Sequence, residues 1–138
     1  MSQNYGSLEK ENLRCAKFCH DFAVDGGAIG AVILKLGALP THALIVGGAV
    51  HIDTAYTSGG SATLALSVEG ANDIFTATNG AVANLTLAAN LAVEPIIITA
   101  ATWVKTSATV NRGLTVTIGT ATMLTGKLTC WLYYTVMP

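Results

Sequence analysis

The sequence predicts an all-β protein, an antiparallel β-sandwich or jelly roll of about seven to nine strands behind an extended or partly helical N-terminal arm. Three observations predict it. From residue 26 onward Thr, Val, Ala, Leu, Ile and Gly dominate, and apolar side chains recur at every second position, which suits a half-buried pleated surface. Gly, Pro and Asn-Gly or Asn-Asp pairs interrupt these runs at short intervals, too often for long helices. Charge is uneven: of fifteen Asp, Glu, Lys and Arg side chains in 138 residues, seven lie in the first twenty-five. The boundary so drawn separates an arm, residues 1–25, from a β domain, residues 26–138.

The arm mixes Glu9, Lys10, Glu11, Arg14 and Lys17. Spacings of three and four, such as Lys10 to Arg14 and Leu13 to Lys17, predict a short helix, with Cys15, Phe18, Cys19 and Phe22 on its apolar side. Residues 29–36 read as a buried strand and Leu39-Pro40-Thr41-His42 as the turn after it. Val46, Val50 and Ile52 mark the next strand, in which Gly47-Gly48 predicts a bulge or a close backbone approach. Leu64, Leu66 and Val68 alternate with Thr63, Ala65 and Ser67 in a half-buried strand. Within 71–92, Asn72-Asp73 and Asn79-Gly80 mark turns, while 85–91 fits helix or strand. Residues 96–98 and 103–105 read as strands. Leu114, Val116 and Ile118 alternate with Thr115 and Thr117, and the short connection 120–127 predicts an antiparallel hairpin with the last strand. There Leu128, Cys130, Leu132, Tyr134 and Val136 take one face, and Thr129, Trp131, Tyr133 and Thr135 the other. Because the second face is also bulky, Trp131 and Tyr133 are the candidate subunit interface.

At 14.2 kDa the chain fits one domain able to bury a core without disulfide or metal. A net charge of −1 without clustered Lys and Arg predicts no nucleic-acid partner. The apolar stretches at 28–39 and 43–52 are broken by Gly, Lys35, Pro40 or His51, short of the roughly 18 to 20 residues of a spanning helix. Nine aromatic residues are few for the girdles of a transmembrane barrel, so no membrane partner is expected. The first fifteen residues lack the apolar core of a secretory signal, and three cysteines, an odd set, fit a reducing site of synthesis. At 11% charged residues and a mean hydropathy of +0.54, the exterior needs other protein against it, as obligate interfaces resemble a core cut in half.

No constellation carries chemistry convincingly. Cys15, Cys19 and His20 form C-x3-C-H, but zinc needs four ligands and no second pair exists. His51 and Asp53, two apart, share a strand face, where they are expected to bond each other or a neighbouring chain. Cupin-like sites use a second His where Asp53 stands. There is no G-x-S-x-G elbow, and Gly26-Gly27-Ala28-Ile29-Gly30 lacks the helix and Gly-Lys-Ser/Thr of a phosphate loop. The expectation is no catalytic residue, no cofactor and no metal.

The run IGAVILKLGALPTHALIVGGAVHIDTAYTSGGSATLALSVEG, with LTVTIGTATMLTGKLTCWLYYTVMP at the end, resembles small structural proteins of tailed-bacteriophage virions, of the capsid decoration (cement) type. The resemblance covers most of residues 26–138. It implies a β-sandwich or jelly roll without enzymatic activity that binds the capsid surface as a homo-oligomer, a trimer favoured, and stabilises the shell. Its partners would be further copies of itself and the major capsid protein, its location the virion, assembled in the host cytoplasm. The arm would reach over capsid subunits through Leu8, Leu13, Arg14, Phe18 and Phe22, so that deleting residues 1–22 should leave a folded core. Two alternatives stand beside it. A tail, head-fibre or receptor-binding module needs an exposed groove, for which Trp103 and Tyr56 are the candidates. A small β-sandwich enzyme needs His51, Asp53 and one of Glu69 or Asp73 to converge.

Overall fold

Period-two alternation builds nine strands among the described residues, 13–97 and 101–137 of the computed structural model. In order they are β1 (Arg14–Asp21), β2 (Gly30–Leu39), β3 (Ala43–Ser58), β4 (Thr63–Ser67), β5 (Asn90–Ala92), β6 (Ile96–Ile97), β7 (Thr102–Trp103), β8 (Arg112–Gly119) and β9 (Met123–Val136). A four-residue helical turn, α1 (Phe22–Asp25), follows β1, with Asp21 Oδ1 accepting from the Ala23 N–H at 2.9 Å.

One antiparallel sheet runs β1-β9-β3-β5 and the other β2-β8-β4, with β6-β7 as a separate ribbon. Bridges from Leu66 to Phe75 and from Thr63 to Ala81 lay residues 74–81 along the far edge of β4, where a fourth strand of the second sheet would lie. The chain thus crosses between sheets at nearly every connection, which is jelly-roll connectivity. Phe18, Ile45, Val50, Ile52, Leu128, Cys130 and Leu132 from one sheet meet Leu34, Leu64, Leu66, Leu114, Val116 and Ile118 from the other in one buried core. Among the described residues no helix is long and apolar enough to cross a membrane.

Four local expectations change. The helix expected through Leu13 and Lys17 is strand β1, paired with β9 over its whole length from Arg14–Tyr134 to Asp21–Lys127. Alternation of Ala16, Phe18 and His20, all buried, outweighs charge spacings worth only tenths of a kcal/mol, about 0.2–0.5 per pair. The strand expected at 29–36 is the edge strand β2, with only its inner face covered, so Ile33 is exposed; Ile29, just before it, and Leu36, in the irregular stretch between Leu34 and Leu39, are exposed as well. The expected hairpin of β8 with β9 is a crossover, since the two strands belong to different sheets. In β3 the bulge falls at Val46, between the pairs Ile45–Tyr134 and Gly47–Tyr133. One extra residue flips the facing side, so Ile45 rather than Val46 joins Val50 and Ile52 in the core. Gly48 serves the close approach: a Cβ there would stand 2.1 Å from the Trp131 carbonyl oxygen.

Candidate interface on the outer face of the four-stranded sheet

The alternation that buries Leu128, Cys130 and Leu132 turns Thr129, Trp131 and Tyr133 to the outside of the four-stranded sheet. Register fixes their neighbours. Trp131 lies between Lys17 of β1 and Ala49 of β3, which in turn faces Ala92 of β5; Tyr133 lies between Cys15 and Gly47. Small residues on the β3 side leave the rings uncovered there, and Tyr133 is 40% exposed. On the other side Lys17 Nζ stands 5.9 Å from the Trp131 ring centroid, a cation–π contact whose aliphatic stem also covers apolar surface. The two candidate interface residues therefore sit side by side in an aromatic strip bordered by the Lys17 ammonium.

A polar cluster borders the strip. Thr129 Oγ1 donates to Asp53 Oδ2 at 2.7 Å, which explains why a threonine on the outer face is nearly buried. His51 Nδ1 lies 2.7 Å from Asn90 Oδ1, and its Nε2 is 4.0 Å from Asp53 Oδ1. His51 and Asp53 thus share a face as expected. Further along, Lys127 Nζ is 3.7 Å from Asp21 Oδ2. An apolar and aromatic centre with a hydrogen-bonded polar border is the anatomy of a protein interface.

The groups required by an enzymatic reading do not join this cluster. Glu69 and Asp73 follow β4, in the other sheet. Asp73 accepts from the N–H groups of Val68, Glu69 and Gly70 at 2.7 to 3.0 Å and closes their turn. Glu69 accepts from Arg112 Nε at 2.7 Å, from Nη2 at 3.1 Å and from the Ser107 N–H at 2.8 Å. Burial pushes its carboxyl up, but the Arg112 guanidinium and the Ser107 N–H outweigh it and hold the group below its ordinary value. In C-x3-C-H the strand turns Cys15 and Cys19 outward and His20 inward. Among the described residues no three His, Cys, Asp or Glu side chains gather for a metal ion.

The arm residues divide. Leu8 lies outside the described residues. Leu13 and Arg14 are exposed at the start of β1, Phe22 is half-buried over Gly27, and Phe18 is fully buried in the core. Phe18 is accordingly closed to a partner while β1 is paired. Of the groove candidates, Trp103 is exposed but Tyr56 is internal, so the two do not line one groove. The place of Lys17, Gly47 and Ala49 beside the aromatic strip, and the His20–Tyr56 contact, were not expected from the sequence; alternation in RCAKFCHD was the available signal for the first strand.

Comparison with solved structures places this geometry. A chain of the cyanophage Pam1 capsid asymmetric unit matches with a TM-score of 0.59 at 16% identity, over 91% of this chain and 86% of that one. A chain of the Ralstonia phage GP4 capsid matches with a TM-score of 0.63 at 17% identity, over 92% and 86%. The fold is one that phage capsids contain. At these identities the likeness is one of fold, and it spans both sheets. No family model matches the sequence, and no curated protein does.

Proposed function

We propose that this protein is a non-enzymatic structural component of a phage virion, a capsid decoration or cement protein that binds the shell as a homo-oligomer, with a trimer favoured. The observation that carries the reading is the fold shared with phage-capsid chains over nine-tenths of the sequence, on a domain whose exterior is poor in charge. The strip of Trp131 and Tyr133 serves as the contact between copies. Leu13, Arg14 and the residues before them serve as the contact with the major capsid protein. Attachment of this kind needs no single strong site, because several modest contacts on an oligomer add through effective concentration.

The test is particle binding together with oligomeric state. Mixed with the capsids of its own phage, the protein should co-sediment, appear as discrete surface density in particle images, and raise the temperature at which the shell opens. By light scattering the free protein should be an oligomer. A stable 14.2 kDa monomer with no affinity for that capsid overturns the reading.

A further inference from the structure

A side-chain contact in the four-stranded sheet crosses a whole strand. In the order β1-β9-β3, Tyr56 on β3 reaches over β9 to His20 on β1, with Tyr56 Oη 2.7 Å from His20 Nδ1 and the rings nearly parallel at 20°. Gly126 of β9 makes the crossing feasible: a Cβ there would lie 2.1 Å from the Tyr56 ring. Both rings are buried, His20 completely. Burial also raises the Tyr56 phenol far above its ordinary range, so it stays protonated. Neutral His20 either accepts at Nδ1 from the Tyr56 O–H or donates from Nδ1 to Tyr56 Oη, and in both cases Nε2 is buried without a hydrogen-bond partner.

Proton uptake makes both ring nitrogens donors. Nδ1 can then only donate to Tyr56 Oη, the Tyr56 hydrogen has no acceptor on His20, and the Nε2–H is buried without one. The titratable groups on the surrounding elements are Arg14, Cys15, Lys17, Cys19 and Asp21 of β1, Asp25 of α1, His51, Asp53 and Tyr56 of β3, and Lys127, Cys130, Tyr133 and Tyr134 of β9. In the opposite sheet only Lys35, exposed, and Arg112, held by Glu69, carry charge. Burial pushes the His20 imidazole below its ordinary 6.5, outweighing Asp25, the Gly26 backbone and Asp21, which favour the cation. Asp21 is itself drawn toward Lys127. The element tied down is an edge strand, paired only with β9, and such an element can open locally.

We propose that the His20–Tyr56 bridge is an acid-released latch that fixes β1, and the arm before it, to the sandwich. Charging His20 opens the latch, and β1 separates from β9 while the sheets behind it stay folded. The latch is independent of the capsid reading, because its chemistry lies wholly within one copy.

Hydrogen exchange on the full-length protein, corrected for intrinsic rates, between about pH 8 and about pH 5 tests it. The opening equilibrium of the β1 amides should rise about tenfold per pH unit below the ordinary imidazole value, with β3 and β8 protection unchanged. His20→Gln, which bonds but does not titrate here, should remove that dependence. If this variant fails to fold, NMR titration of the wild-type imidazole beside the β1 amides decides. Imidazole protonation coinciding with loss of β1 protection supports the latch. Protonation with β1 still protected, β1 opening that ignores the imidazole, or an unchanged pH profile in a folded His20→Gln overturns it.

Discussion

Cys130 lies in the core between the sheets, and burial, with Cys15 nearby, pushes its thiol up to about 12, so it stays protonated and shielded. Cys15 and Cys19 are exposed on the other side of the same sheet. A thiol reagent should therefore modify two cysteines in the native protein and the third only on unfolding, measured by absorbance with mass spectrometry. Gly126 is equally specific. Its φ of +137° already disfavours an L side chain, and the Tyr56 ring fills the space a Cβ would need. Gly126→Ala should cost about 2–5 kcal/mol in denaturant unfolding. Two acid windows follow from the shifts. His20 has a lowered folded value, so its contribution is complete above the ordinary 6.5 and falls as pH drops below it. Glu69 is also lowered, and its contribution is complete above the ordinary 4.5 and lost below. Glu69→Gln should thus lower the unfolding midpoint near neutrality, with the deficit shrinking in acid. Neither shift was legible beforehand, because that of His20 is set by its burial between the sheets and that of Glu69 by Arg112, 43 residues away.

At the scale of elements, β9 was the most legible, since alternation from Leu128 to Tyr134 fixes both of its faces. Val136, last in that alternation, is exposed because it lies at the strand's end. β1 was least legible: its charged spacings imitate a helix, and only the buried partner strand rewards Ala16, Phe18 and His20. Truncation should expose the difference. Removing residues 1–12 leaves every described strand in place and serves as the reference for the longer deletion. Removing residues 1–22 takes away β1 with Phe18 and uncovers one edge of β9, so the remaining core should stay folded with a lower unfolding midpoint. Phe18→Ala, at a fully buried site, should alone cost about 3–5 kcal/mol. Circular dichroism melts of the three proteins check this.

For the whole molecule, the aromatic strip separates assembly from folding. Trp131 is only half-buried in one copy, so Trp131→Ala should change monomer unfolding little. As an interface anchor it should weaken self-association by about 2 kcal/mol or more. Sedimentation equilibrium beside a denaturant titration tells these apart, and a large loss of folding with assembly intact contradicts the interface. The sequence by itself determined the β class, the inward set of β9, the bulge region of β3 and the shortage of charge, because each is a local pattern of side-chain polarity along one strand. Only the tertiary structure decided which sheet each strand joins, that the first charged segment is an edge strand, and that a glycine lets a tyrosine reach a histidine across β9. Those features rest on pairing and packing between residues far apart in the chain, and the free energy of burying one segment is set by the segment that covers it.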